Sequence, residues 1–213
     1  MKVGVLGSGD VARTLAAGFL KYKHDVTMGT RDVSKLAGFA KEHPAIKVGS
    51  FADAARFGEL LVLAVMGSAA SDVLRAAGRE HIAGKTVIDP TNAIQDAPPV
   101  DGVLQSFTGP NESLMEQLQH HFPDAHFVKA FSCIGNAFMV NPDFQGAKPT
   151  MFICGNDAGA KTDTRTILDQ FGFDVADMGG VEGARAIEPL CILWCIPGFL
   201  RDEWSHAFKL LKA

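Results

Sequence analysis

Residues 3–35 read VGVLGSGDVARTLAAGFLKYKHDVTMGTRDVSK, and this stretch decides the fold. It begins with a short apolar run, passes through a glycine turn, continues with apolar residues at helical spacing, and ends in a second apolar run at 24–29. The pattern predicts a strand, a turn, a helix and a second strand within about 30 residues. Residues 7–12 fit G-x-G-x-x-G/A in that setting, so the stretch predicts a dinucleotide-binding unit.

The small residues of the turn have separate physical roles. Gly7 permits the tight bend, Gly9 leaves the backbone open to a diphosphate, and Ala12 lets the helix pack closely on the strand. The free N–H groups at the start of the helix and the helix dipole then favour phosphate groups. The alternative is an ordinary turn of the same kind that binds nothing.

The end of the second strand distinguishes between the two nicotinamide cofactors. NAD sites place Asp or Glu about 20 residues past the glycines, where the carboxylate holds the ribose 2′-OH. Here the strand ends at residues 28–31 without an acid, and Asp32 fits the N-cap of the next helix. Thr30, Arg31 and Lys35 match a 2′-phosphate, which Arg can bind through two charge-assisted hydrogen bonds. We therefore expect NADP(H), with a solvated basic helix start as the alternative.

Composition excludes several classes of protein. A net charge of −4 over 213 residues, with no basic stripe, argues against a nucleic-acid binder. No signal peptide is expected, and the apolar run 190–200 is too short to span a bilayer, so we expect no membrane association. The four cysteines lack metal spacing, and Cys191 and Cys195 are expected to be buried thiols rather than a redox pair. We expect a cytoplasmic protein without a metal site.

Strands alternate with helices along the rest of the chain. This order predicts an α/β fold with a doubly wound parallel sheet, the Rossmann NAD(P)-binding fold. The connection 91–110 is long enough to be functional or mobile. Further strands are predicted at 46–48, 60–65, 85–89, 125–130, 150–154 and 173–176, and further helices at 32–42, 51–57, 68–77, 113–121 and 157–171.

The carboxyl-terminal segment differs from the rest because it is apolar nearly all round. We expect residues 1–180 to form the NADP-binding domain and residues 181–213 a small helical element. A helix that is apolar on every side needs cover on every side, so it should pack on the sheet and meet a second copy of the chain. Burial within one subunit is the alternative. Pro189 and Pro197 should kink or end the helix.

Ligands of doubly wound sheets bind beyond the carboxyl ends of the strands. The loop after the fourth predicted strand should border the ribose and nicotinamide, and Asn92, after the fifth, is placed near the reacting ring or in an Asx turn. Proton donors are scarce: Tyr22 looks structural, and His206 is the histidine to test, so Asn92 and His206 are the weak catalytic candidates. These loops add Ala64, Val65, Met66, Asn92 and Ala130 to the candidate cofactor-binding residues.

GVLGSGDVARTLAAGF at 4–19, followed by VTMGTRD at 26–32, resembles the NADPH-dependent coenzyme F420 reductase family, the F420-dependent NADP oxidoreductases. VKAFSCIGNAFMVNPDF at 128–144, MFICGND at 151–157 and HAFKLL at 206–211 extend the resemblance over nearly the whole chain. The later segments are also similar to the NADP domain of STEAP-type metalloreductases, which passes hydride to a flavin.

This resemblance implies a Rossmann domain, NADP as cofactor and a homodimer. It implies diphosphate contacts from Ser8, Gly9, Asp10 and Val11, and 2′-phosphate contacts from the basic end of the second strand. It also implies that a deazaflavin ring stacks near the nicotinamide, close to the loops after the fourth and sixth strands.

Two departures from the family pattern concern the second substrate. Residues 129–132 read Lys-Ala-Phe-Ser where related sequences often have KAFN. The F420 tail is polyanionic, yet, among Lys and Arg, residues 91–150 contain only the isolated Lys129 and Lys148.

The leading hypothesis is that the protein transfers a hydride between NADPH and a small-molecule redox partner, either F420 or a flavin. The alternatives are an imine or carbonyl reductase, similar to the pyrroline-carboxylate reductases, and a non-catalytic NADP(H)-sensing module.

Overall fold

The structure is a computed structural model, and it describes residues 1–212. A six-stranded parallel sheet has the order β3-β2-β1-β4-β5-β6 and is covered by helices, which confirms the doubly wound parallel fold. Its strands are β1 (Lys2–Leu6), β2 (Asp25–Gly29), β3 (Lys47–Gly49), β4 (Leu60–Leu63), β5 (Thr86–Asp89) and β6 (His126–Lys129).

Helices connect the strands and cover a sheet whose central strands are apolar on both faces. All four residues of β4 are buried, as expected for the middle of a parallel sheet. The helices are α1 (Asp10–Lys21), α2 (Ala37–Glu42), α3 (Phe51–Phe57), α4 (Ala70–Ala77), α5 (Arg79–Ile82), α6 (Leu114–His121), α7 (Ala158–Gln170) and α8 (Ala184–Arg201).

The last two strands form a separate parallel pair rather than extending the main sheet. They are β7 (Thr150–Ile153) and β8 (Asp174–Asp177), and one antiparallel bridge joins Lys129 to Cys154. A parallel neighbour for β6 would need a helical crossover, but residues 130–149 contain only a three-residue 3-10 turn. The expected single sheet is therefore divided into six strands and two.

The connection 91–110 is more regular than expected. Ile94 pairs with Ser106 and Val100 with Val103 in antiparallel bridges. The amide of Gln95 donates to the carbonyl of Gln105 at 2.8 Å. These contacts fold the connection into a short hairpin beside α8.

The helix α8 continues through both of its prolines, so the expectation that they could end it is wrong. Together with the preceding turn it runs over Val181–Arg201, which by length and composition alone could cross a membrane. The expectation that this segment is too short to span a bilayer is therefore wrong, because it counted only the run 190–200. Its 18-residue apolar window is only 28% buried, so full burial within one subunit is not observed.

Two thiols are buried and two are not. Burial raises the pKa of Cys133 and of Cys154 to about 12. Cys191 and Cys195 are only partly buried, contrary to the expectation of two buried thiols.

Candidate functional site

A cleft of about 850 Å³ lies beyond the carboxyl ends of the sheet strands. It runs from the end of β2, across the turn between β1 and α1, to the segment after β6 and the chain beyond α8. Its lining consists of Gly7, Ser8, Gly9, Asp10, Val11, Thr30, Arg31, Asp32, Lys35, Phe51, Ala64, Val65, Met66, Ala69, Val73, Pro90, Gly135, Asn136, Ala137, Phe138, Trp194, Trp204 and Ser205.

The glycine turn brings the start of α1 to the cleft. Gly7 has a φ of +145°, and a Cβ there would lie 2.0 Å from the carbonyl oxygen of Ala64. A Cβ on Gly9 would instead meet nothing within 4 Å, because it would point into open space. Gly9 is also the N-cap of α1, and no side chain caps the helix there. The first N–H groups of the helix are therefore free to receive an anion.

Two cations stand at the end of β2 without an acidic partner. Arg31 and Lys35 are exposed, and neither forms an ion pair with another residue in 1–212. The carboxylate of Asp32 accepts from the amide and the hydroxyl of Ser34 at 3.0 and 2.6 Å, which lowers the pKa of Asp32. Asp32 therefore caps the next turn, as expected. The backbone carbonyl of Lys35 accepts from Arg13 at 2.8 Å, and this contact holds the basic turn against α1.

The cleft gathers nearly all the residues that the sequence predicted for cofactor binding. Those that line it are Gly7, Ser8, Gly9, Asp10, Val11, Thr30, Arg31, Lys35, Ala64, Val65 and Met66. Asn92 is not in the lining: its Nδ2 donates to the carbonyl of Ser132 at 2.9 Å and so joins the loops after β5 and β6. Ala130 is fully buried at the end of β6, away from the cleft surface. For all of these residues, a role in binding a cofactor stays a prediction.

The resemblance placed the second ring near the loop after β6, but sequence reasoning missed the tryptophans at the far end of the cleft. That end is formed by Pro90, the segment 135–138, Trp194, Trp204 and Ser205. The two tryptophans are ten positions apart and come together only because the chain reverses after α8, so no periodic pattern indicates them. His206 stacks on Trp194 with ring centroids 4.9 Å apart and is not part of the lining.

A buried ionic cluster anchors α8 beside this end. The ammonium of Lys129 lies 2.7 Å from Asp89 and 2.9 Å from Glu188, and it donates to the carbonyl of Thr91 at 2.7 Å. Glu188 in turn accepts from the amides of Leu114 and Met115 at the start of α6. Burial alone would lower the pKa of Lys129, but the two carboxylates raise it above its ordinary value. Lys129 is thus fully engaged in the protein interior and is not available to an anionic ligand.

Comparison with known proteins shows the family to which the chain belongs. Residues 2–93 match the model of the family described as NADP oxidoreductase, coenzyme F420-dependent. A crystal structure from Arthrobacter sp. FB24, of a protein provisionally named as an F420-dependent NADP-reductase, is 34% identical, with a TM-score of 0.93 and full coverage of both chains. The chain belongs to the F420-dependent NADP oxidoreductase family. It is an NADP-dependent oxidoreductase.

Other relatives of this oxidoreductase are more distant or much longer. Rat metalloreductase STEAP3 is 31% identical over 204 residues, which cover 93% of this chain and 39% of that protein. The chain therefore spans about two fifths of the length of that relative. An imine reductase from Streptomyces aurantiacus is 18% identical, with a TM-score of 0.70 and coverage of 94% of this chain and 63% of that one. The last similarity concerns the fold alone.

Proposed function

We propose that this oxidoreductase transfers a hydride between NADPH and the planar ring of a flavin or deazaflavin such as F420. The observation that carries the proposal is one continuous cleft with a basic end, a glycine turn and an aromatic end. From β2 to β6 the sheet order gives four strand spacings, or about 19 Å, along the carboxyl edge. The cleft is therefore long enough for an extended dinucleotide with a second ring beside its nicotinamide.

The residues of the first half fit NADPH. The open space at Gly9 and the uncapped start of α1 suit a diphosphate, and the unpaired Arg31 and Lys35 suit a 2′-phosphate. In this arrangement Ala64, Val65 and Met66 would lie along the ribose and nicotinamide. NADPH, when bound, supplies the hydride from C4 of its nicotinamide.

The far end of the cleft favours a ring acceptor over a carbonyl. Its lining contains Asn136 and Ser205 as polar side chains, but no His, Tyr, Lys, Asp or Glu among the described residues. Reduction of a carbonyl develops charge on one oxygen and needs a positioned proton donor. A flavin or deazaflavin spreads the charge over its ring and can take its proton from water, so orientation and exclusion of solvent are the main tasks of the protein.

Most cations near the far end of the cleft are already paired with carboxylates. This supports a site that binds the ring of F420 and not its polyanionic tail. Lys129 is buried in its ionic cluster. Arg201, the last residue of α8, pairs with Glu203 at 2.9 Å, and Lys209, beyond the helix, pairs with Asp174. Of the four cations Lys129, Lys148, Arg201 and Lys209, only Lys148 is both exposed and without an ion pair within residues 1–212.

The test measures turnover with a panel of acceptors. Purified protein is mixed with NADPH and, separately, F420, the deazaflavin chromophore without its tail, riboflavin, FMN, FAD, and a set of cyclic imines and carbonyl compounds. Loss of NADPH absorbance is followed. We expect turnover with the tricyclic rings and similar kcat/KM values for F420 and its tail-less chromophore.

Each other outcome has a definite meaning. Turnover with imines or carbonyls alone would contradict the proposal and favour the imine reductase alternative. Tight NADPH binding without turnover of any acceptor would also contradict it, and would leave the sensing module, an alternative that the membership of the chain in an enzyme family disfavours.

We further propose that the oxidoreductase acts as a cytoplasmic homodimer. The support for a dimer is the exposed apolar side of α8, where Leu193 and Leu200 are each 54% exposed. The support for the location is the use of NADPH together with four unpaired cysteines.

A further inference from the structure

The chain beyond α8 reverses direction and is fixed against the body of the protein. Asp202 ends the helix with a φ of +56°, in the left-handed region. The amide of Thr150 then donates to the carbonyl of Phe208 at 2.8 Å, and the amide of Leu210 donates to the hydroxyl of Thr150 at 3.1 Å. Residues 202–212, called the tail below, therefore lie along β7 without forming regular secondary structure.

The tail carries one tryptophan to the cleft and holds another in place. The indole N–H of Trp194 donates to the carbonyl of His206 at 2.9 Å, and Nε2 of His206 donates to the carbonyl of Trp194 at 2.9 Å. The ring of His206 covers one face of Trp194. Trp194 is consequently only 8% exposed, with one face and its N–H already occupied.

Two glycines allow these indoles to sit where they do. A Cβ on Gly135 would lie 2.8 Å from the Trp194 ring, and a Cβ on Gly198 would lie 2.3 Å from the Trp204 ring. The N–H of Trp204 donates to Asp202 at 2.9 Å. The two indole centroids are 5.7 Å apart with planes tilted by 43°. The pair is thus a packed structure and not a chance exposure of side chains.

Trp204 keeps a free surface in the cleft. It is 36% exposed although one side packs on Gly198, and it lines the cleft at the end opposite to the basic residues. An exposed indole surface attracts flat aromatic rings through offset stacking, whereas a small aliphatic substrate gains little from it. Phe138, on the segment after β6, lines the same end.

We propose that Trp204, supported by Trp194, is the stacking surface that binds a tricyclic isoalloxazine-type ring and so determines the class of the acceptor. This inference rests on the proposed function and adds a subsite to it. The tail is then part of the substrate site, and its contacts with β7 and with Trp194 position Trp204.

The test compares the removal of the indole with its replacement by another aromatic ring. Riboflavin is the probe because it has the ring without a charged tail. In Trp204→Ala we expect the KM for riboflavin to rise about tenfold, with the Kd for NADPH unchanged, and in Trp204→Phe most of the loss should be recovered. Phe107→Ala is the matched control, since Phe107 is a 39% exposed aromatic residue outside the cleft.

A binding measurement separates this inference from the proposed function. The chain has two tryptophans, so Trp194 remains as a fluorescent reporter in both Trp204 variants. Quenching of its emission gives the Kd for oxidised riboflavin in the presence of NADP⁺, without turnover. We expect this Kd to rise about tenfold in Trp204→Ala and to stay near the original value in Trp204→Phe.

The outcomes are distinct. Turnover of flavins or deazaflavins with an unchanged KM and Kd in Trp204→Ala would overturn the subsite and leave the proposed function standing. Riboflavin binding that depends on Trp204, without any turnover, would support the subsite and overturn the function. A Trp204→Phe variant that folds but loses as much affinity as Trp204→Ala would overturn stacking as the reason.

Discussion

Gly7 and Gly9 are two positions apart in the chain and have opposite structural requirements. Gly7 has a positive φ, and a Cβ there would collide with the backbone of Ala64, whereas a Cβ on Gly9 would enter the empty cleft. Gly7 is therefore needed for folding, and Gly9 is needed only to keep space for a ligand.

Alanine at each of these glycines should separate folding from binding. We expect Gly7→Ala to lower the free energy of unfolding by about 3 kcal/mol, from backbone strain and overlap with Ala64. Gly9→Ala should lower it by less than about 1 kcal/mol but raise the Kd for NADPH about tenfold. Denaturant unfolding and fluorescence titration measure the two quantities. Equal NADPH affinity in Gly9→Ala and the unmodified protein would contradict the assignment of the turn.

Arg31, at the basic end of β2, should distinguish NADPH from NADH. Arg31→Ala should weaken NADPH binding by about 2 kcal/mol, or about thirtyfold in Kd, because one charge-assisted contact to the 2′-phosphate is lost. NADH lacks that phosphate, so its Kd should change little. Arg165→Ala removes another exposed arginine that does not line the cleft and serves as the control. Equal losses for both nucleotides would refute the role given to Arg31.

Residues of the first half of the cleft could be predicted because their signals are local. The glycine turn, the missing acid and Arg31 all lie within 35 consecutive positions. Asn92 and Ala130 were placed near the ligand because they follow β5 and β6, and a position at the end of a strand does not reveal whether a side chain faces the cleft.

At the scale of elements, the ionic cluster of Lys129, Asp89 and Glu188 joins α8 to the ends of β5 and β6. Glu188 also accepts from the start of α6, so one carboxylate connects three elements. The side chains of Lys129 and Asp89 are completely buried. Removing the cation would leave two carboxylates in the interior without their partner.

Lys129→Met should therefore lower the free energy of unfolding by about 3–5 kcal/mol at pH 9. Lys161→Met, which breaks the partly exposed pair with Asp177, should cost less than about 1 kcal/mol. The folded pKa of Lys129 lies above the ordinary value of 10.5, so its contribution is fully present below pH 10.5. It should be lost as the pH rises through the folded value.

Denaturant unfolding from pH 9 to pH 11.5 measures this dependence. The gap between the unmodified protein and Lys129→Met should stay constant up to about pH 10.5 and then narrow. A gap that widens above this pH would contradict the raised pKa of Lys129. A gap no larger than that of Lys161→Met would show that the cluster does not stabilise the fold.

The elements of the main sheet could be predicted because each strand has its own apolar run and each helix its own periodicity. The separate β7–β8 pair could not, since it depends on the absence of a helix between β6 and β7 rather than on the strands themselves. The apolar length of α8 was underestimated because only the run 190–200 was counted, whereas the helix continues through Pro189 and Pro197.

At the scale of the whole molecule, the cleft is built from both ends of the chain. Residues 7–35 and 51–73 supply the half that fits the nucleotide, and the aromatic half comes from residues 135–138 and 194–205. The long sequence separation explains why only the first half could be predicted. It also means that any movement of α8 would alter the aromatic end of the cleft.

The outer side of α8 is apolar and uncharged, as a surface between two copies of the chain would be. Residues 189–200 contain no charged side chain, and Leu193, Phe199 and Leu200 are between 43% and 54% exposed. A surface without charge can meet the same surface of a second copy without like-charge repulsion, as a two-fold interface requires. Apolar side chains exposed together on one uncharged helix are typical of an interaction site.

Leu193→Lys should convert the proposed dimer into a monomer, because the new ammonium would be buried against an uncharged partner surface. Size-exclusion chromatography with light scattering should give twice the chain mass of 22.7 kDa for the unmodified protein and a single chain mass for Leu193→Lys. Val33→Lys changes another apolar residue, 57% exposed, in the turn that packs beside β3 at the opposite edge of the sheet, and should stay dimeric. A single chain mass for the unmodified protein at micromolar concentration would refute the dimer.

The assembly state should also affect binding of the proposed ring acceptor, because Trp194 lies on the same helix as Leu193. Loss of the dimer in Leu193→Lys should raise the KM for the ring acceptor while the Kd for NADPH stays constant.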